Sequence, residues 1–174
     1  MRYKVTGYLA LLTTLCVVGY IAKAYATGAS GFVGTTIAVG RFGDIDTNNI
    51  QLPQPKSAPL PAAPWLSFQK TKGLSDVYVQ TNVWQPGGST GWHTHPGHSL
   101  IIVTAGAVTT YEGDDPSCTP HAYTVGQGFV DEGGDHTHII RNEGLVEART
   151  VAVQVIPANA TRRIDKAASP NCPF

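Results

Sequence analysis

The sequence predicts an all-β fold, a barrel or sandwich of short strands, and three observations predict it. Nineteen Gly and twelve Pro punctuate a 174-residue chain that is 42% hydrophobic, which favours tight turns between short strands. From Asp76 onward, β-branched and aromatic residues recur with the period-two pattern of strands that bury one face. No window sustains a helical period, so the strands must pack on one another. The length suits one domain at roughly 150 residues per domain. Charged residues are 14% of the chain and the formal net charge is +0, with no Lys/Arg run. Such a chain lacks the basic stripe that nucleic acid requires.

The first 26 residues read as an address. Arg2 and Lys4 precede an uncharged, mostly apolar run over 5–22, and Ala24-Tyr25-Ala26 is a small-x-small cleavage pattern. This is a secretory signal peptide cut after Ala26, or, if uncut, a membrane anchor, since the run approaches the length of about 18 residues that spans a bilayer. Cleavage removes Arg2, Lys4 and Lys23 and leaves nine basic against twelve acidic residues, a net −3. Secretion or export to a periplasm changes the cysteine arithmetic. Cys16 departs with the leader, and Cys118 and Cys172 remain as an even pair in an oxidising compartment. A disulfide between them would tie the C-terminal tail to a barrel loop.

Residues 27–74 read as an N-terminal strand, centred on the apolar stretch 34–39, followed by a Pro-rich arm that carries Pro53, Pro55, Pro59, Pro61 and Pro64. Strands are expected over 76–84, 98–104, 107–112, 122–125, 129–131, 136–141 and 147–156. Pro86-Gly87-Gly88 is expected to break the first of these, and Ala105-Gly106 and Gly133-Gly134 mark turns. The barrel is expected to occupy 75–158 and the tail 159–174. Trp84, Trp92 and Tyr78 read as core or rim packing, and Arg162-Arg163 as a solvated turn.

All six histidines lie between Trp92 and Ile139: His93, His95, His98, His121, His136 and His138. Two pairs are His-x-His. In a strand, residues i and i+2 share a face, so each pair sets two imidazoles side by side. Two such strands facing each other would bring up to four imidazoles into one cavity. Neutral imidazole suits Fe, Mn, Zn, Ni and Cu, so a divalent metal ion is the expected cofactor.

The stretch Gly91-Trp92-His93-Thr94-His95-Pro96-Gly97, followed by a strand and Gly106, resembles the first motif of the cupin superfamily. Gly126, Gly133-Gly134, His138 and Asn142 resemble the second. The resemblance covers about residues 75–158 and implies a double-stranded β-helix, the cupin jelly-roll barrel, here with an extended N-terminal arm. It implies His93, His95 and His138 as metal ligands, with His136 and His98 as further candidates. The family's glutamate ligand falls on Ser99, a poor substitute for a carboxylate. The resemblance also implies a homodimer.

A three-His site leaves the full charge on the metal and so favours an anionic or chelating small molecule. Glu112, Asp131 and Glu132 are candidate bases. The expected function is an exported cupin with a metal-dependent, dioxygenase-like or isomerase-like activity. The alternatives are a non-catalytic barrel that binds a sugar or aromatic ligand, and a structural barrel without metal.

Overall fold

The computed structural model describes residues 26–52, 64–172 and 174, which form twelve strands and no helix. The leader-like residues 1–25, and Pro53, Pro55, Pro59 and Pro61 of the expected arm, lie outside the described residues. Among the described residues no helix is long and apolar enough to cross a membrane. The strands are β1 (Ser30–Phe42), β2 (Asp46–Gln51), β3 (Trp65–Lys70), β4 (Ser75–Ser89), β5 (His93–Thr94) and β6 (Ser99–Ala105). They continue as β7 (Ala107–Glu112), β8 (His121–Thr124), β9 (Gly128–Asp131), β10 (His138–Arg141), β11 (Ala148–Pro157) and β12 (Ile164–Asp165).

The strands wind into a nearly closed barrel, the double-stranded β-helix expected from the sequence. One run of neighbours is β1-β4-β11-β6-β9 and the other is β12-β5-β10-β7-β8. They join where Ser89, the last residue of β4, pairs with Arg141 of β10. Pro86-Gly87-Gly88 was expected to end a strand, yet it lies inside β4. Gly87 takes a left-handed φ of 75°. Its N–H donates to Asn142 O at 2.9 Å, and the Asn142 N–H donates to Gly88 O at 2.8 Å. The breaker residues thus bend the strand from one run to the other without interrupting its pairing. A separate hairpin, β2 with β3, stands beside the barrel.

Alternation fills the interior. Along β6, Ser99, Ile101 and Val103 point inward while Leu100 and Ile102 face out. The main core joins Trp84, Ile101, Val103, Val108, Ile140, Ala148 and Ala152, with Phe32 packed against it. Trp84 and Trp92 are both fully buried, so they serve as core. A bidentate Arg41–Asp76 pair, at 2.8 and 2.9 Å, staples β1 to β4.

The tail is woven into the barrel. β12 pairs with β5, and Lys166 N–H donates to Trp92 O at 2.9 Å. Cys172 is bonded to Cys118, with Cα atoms 5.4 Å apart. Cys172 packs fully buried in a second core with Trp92, Tyr111 and Ile139. Closing a loop of 54 residues restricts the unfolded chain by about 4 kcal/mol in the loop-entropy model. The double variant Cys118→Ser/Cys172→Ser should therefore lose about 2 to 4 kcal/mol in urea unfolding. An unchanged unfolding midpoint would contradict this role of the bridge.

Candidate metal centre

Two turns without side chains aim the histidines. Gly91 holds a φ of +68°, and a Cβ there would lie 2.4 Å from Thr27 O. Only glycine fits this close approach. The turn feeds β5, which carries His93, and His95 follows directly after the strand, with the two ring centroids 4.8 Å apart. Gly133, also at φ +68°, lets the segment between β9 and β10 close onto Gly97 O, where a Cβ would lie at 2.1 Å. That segment delivers β10, in which His138 is the register partner of His93. The His93 and His138 rings are 4.4 Å apart, and His95 and His138 are 5.8 Å apart.

One nitrogen from each ring lies within 4.8 Å of the other two. Hydrogen bonding selects which nitrogen. His93 Nδ1 donates to Gly91 O at 2.9 Å and His95 Nδ1 donates to Arg162 O at 2.5 Å. His138 Nδ1 faces Asp131 Oδ1 at 3.5 Å. A carbonyl can only accept, so Nε2 of His93 and of His95 carries the lone pair. His138 Nε2 is buried with no hydrogen-bond partner. An orphaned buried nitrogen is costly, and three Nε2 atoms oriented by partners on their Nδ1 side are the arrangement that suits a metal. The residues therefore fit a divalent ion.

The site is enclosed. His93, His138 and Ser99 are buried, and the three rings line a cavity of about 180 Å³ inside the barrel. Burial pushes His93 well below the ordinary imidazole range, with His138 and Arg163 adding to the effect. Burial also lowers His138 to about 4, although Asp131 opposes the shift. Both rings are neutral near pH 7, the state a metal requires.

Two groups join the site that the sequence did not reveal as members. Asp131 was weighed only as a base. Its carboxylate lies against the imidazoles, with Oδ2 at 3.3 Å from His95 Nε2. Arg162 was expected in a solvated turn, but it reaches over the same cavity. Its guanidinium donates to Gln154 Oε1 at 3.0 Å, Thr36 Oγ1 at 2.6 Å and Gln80 Oε1 at 2.7 Å, and it lies 4.0 Å over the Tyr78 ring. All of these partners are neutral, so its charge stays available to a ligand. The signal that could have exposed it is weak, because β12 pairs with β5 over a long sequence separation.

The other candidates lie elsewhere. His136 precedes β10 and turns out to Glu132, at 3.2 Å; it lines a neighbouring cavity together with His138 but stays outside the three-ring group. His98 lines a separate cavity beside Leu74 and Leu100. Glu112 lines a neighbouring cavity of about 330 Å³ that shares Asp131 and His138 with the first, and burial raises its carboxyl.

A search of curated proteins gives no match. A conserved protein of unknown function from Streptococcus pyogenes is 17% identical over 47% of this chain and 65% of its own, with a TM-score of 0.40. An oxalate oxidase is 22% identical over 47% of this chain and 46% of its own, at 0.40. An uncharacterized protein with a double-stranded β-helix domain from Klebsiella pneumoniae is 22% identical over 52% and 75%, at 0.44. This chain thus spans less than two thirds of the first two. Residues 82–154 match the family model of the cupin domain. The barrel that gathers these histidines is the part of the chain that this cupin-domain model matches.

Proposed function

We propose that this chain is an exported, metal-dependent cupin enzyme acting on a small anionic or chelating molecule, with His93, His95 and His138 as ligands. The observation that carries the reading is the convergence of three ring nitrogens within 4.8 Å, with His93 and His95 held from their far sides by backbone carbonyls. Bound there, a divalent cation would act as a Lewis acid toward an oxygen of the ligand. The chain's own residues do the rest. Arg162 offers an unneutralised guanidinium to an anion in the same cavity. The buried side chains of His93 and His138 set the inner wall of the centre. Glu112, whose carboxyl burial raises above the ordinary range, lies in the adjoining cavity as a candidate proton-transfer group.

Export is supported by the disulfide, which suits an oxidising compartment, together with the leader-like N-terminus. A homodimer, which the family resemblance implies, could draw on β1, where Val33, Ile37 and Val39 are exposed. The amides of Gln80, Asn82 and Gln154 along the cavity wall favour a second reading, a non-catalytic barrel that binds a neutral polyhydroxyl ligand without metal.

Elemental analysis of the natively purified chain tests the first reading. It should carry close to one divalent metal per chain. His93→Ala and His138→Ala should each abolish occupancy and the metal-induced rise in Tm. Protein that holds no metal, takes up none of Fe(II), Mn(II), Zn(II), Ni(II) or Cu(II) and shows no change in Tm overturns it. Stabilisation by sugars that survives chelators would favour the second reading.

A pH dependence follows from His138. Its folded value, about 4, lies below the ordinary value of about 6.5, so the folded chain binds fewer protons than the unfolded chain between these values. Stability of the metal-free protein should fall as pH drops from about 6.5 to about 4. In His138→Gln this part of the slope should vanish, as read from urea midpoints across that range. Identical slopes in the two proteins would contradict the assignment.

A further inference from the structure

We propose that Asp131, reaching in from β9, supplies the carboxylate ligand of this centre in place of the glutamate that the cupin pattern puts at position 99 on β6. The inference rests on the metal-binding reading above and deepens it.

Register gives the first reason. Ser99 and Asp131 are direct partners across β6 and β9. The Ser99 hydroxyl donates to Asp131 Oδ2 at 3.2 Å. A small side chain at 99 leaves the room that the partner strand's carboxylate fills, so the acid reaches the cavity from the opposite side of one ladder rung.

Lone-pair geometry gives the second. His95 commits its Nδ1 proton to Arg162 O, so its Nε2 presents an acceptor. Asp131 Oδ2 lies 3.3 Å from that nitrogen. Two acceptors at this distance repel unless a cation lies between them or a proton sits on one. A metal ion held by the three converging imidazoles is the cation that would relieve this contact.

Burial gives the third. The Asp131 side chain is 2% exposed. Its hydrogen-bond donors, the Ser99 hydroxyl and the Gly133 N–H at 3.0 Å, are both neutral. A carboxylate held away from water by neutral donors is costly without a cation. The Gly133 N–H fixes its Oδ1 on the inner side. Neither other acid takes this place: Glu132 faces solvent against His136, and Glu112 lines the neighbouring cavity.

The test uses the full mature chain, with Zn(II) affinity measured by chelator competition and the visible spectrum of the Co(II)-loaded protein as a second readout. Asp131→Asn keeps an acceptor for the Gly133 N–H and removes the charge. It should weaken Zn(II) binding about 10- to 100-fold and change the Co(II) bands, with circular dichroism unchanged. Ser99→Glu combined with Asp131→Ser should restore affinity to within a few-fold of wild type, whereas Asp131→Ser alone should not. A residue that only capped the turn, or only oriented His138, could not be replaced from position 99. Wild-type affinity and spectrum in Asp131→Asn overturn the proposal, as does a double variant no better than Asp131→Ser. Wild-type protein that takes up neither metal overturns the metal-binding reading itself, and this proposal with it.

Discussion

His93 and His95 are steered from their Nδ1 sides by backbone carbonyls, and His138 is placed by its register pairing with His93. Gly91 O, Arg162 O and Asp131 Oδ1 face His93, His95 and His138 in turn. The rest of the architecture serves this arrangement. If a ring rotates, its Nε2 leaves the shared point, and no backbone adjustment elsewhere recovers it. The register pair His93 and His138 sets the spacing of the two strands. The Gly91 and Gly133 turns set the approach of the loops.

The tail lies outside the cupin match, yet it is part of the site. Arg162 contributes its carbonyl to His95 and its guanidinium to the cavity. β12 closes the edge of β5, the strand that carries His93. The disulfide then anchors the far end of the tail beneath Trp92, the residue before His93. A covalent tie at the chain's end thus bears on the geometry of the centre through a short series of packed neighbours.

Much of this was legible in the sequence. The His-x-His spacing already sets His93 and His95 side by side, although the strand itself ends at Thr94, and the two cupin-like motifs name His138. Other features depended on contacts that no local pattern encodes. His136 shares the His-x-His spacing of His138, but a two-glycine turn precedes it and the strand begins only at His138, so the period-two rule does not reach it. Pro86-Gly87-Gly88 reads locally as a breaker, yet a strand that changes partners needs such a bend. The missing acid at Ser99 was visible; its counterpart at Asp131 was not, because the pairing of β6 with β9 is long-range. The place of Arg162 was hidden for the same reason, in the pairing of β12 with β5.

The most direct test is anomalous diffraction from crystals of the mature protein grown with Co(II). The account predicts one dominant cobalt site inside the barrel, bonded to Nε2 of His93, His95 and His138. Cobalt bound instead at the surface, as at His136 and Glu132, or absent from the barrel would contradict it.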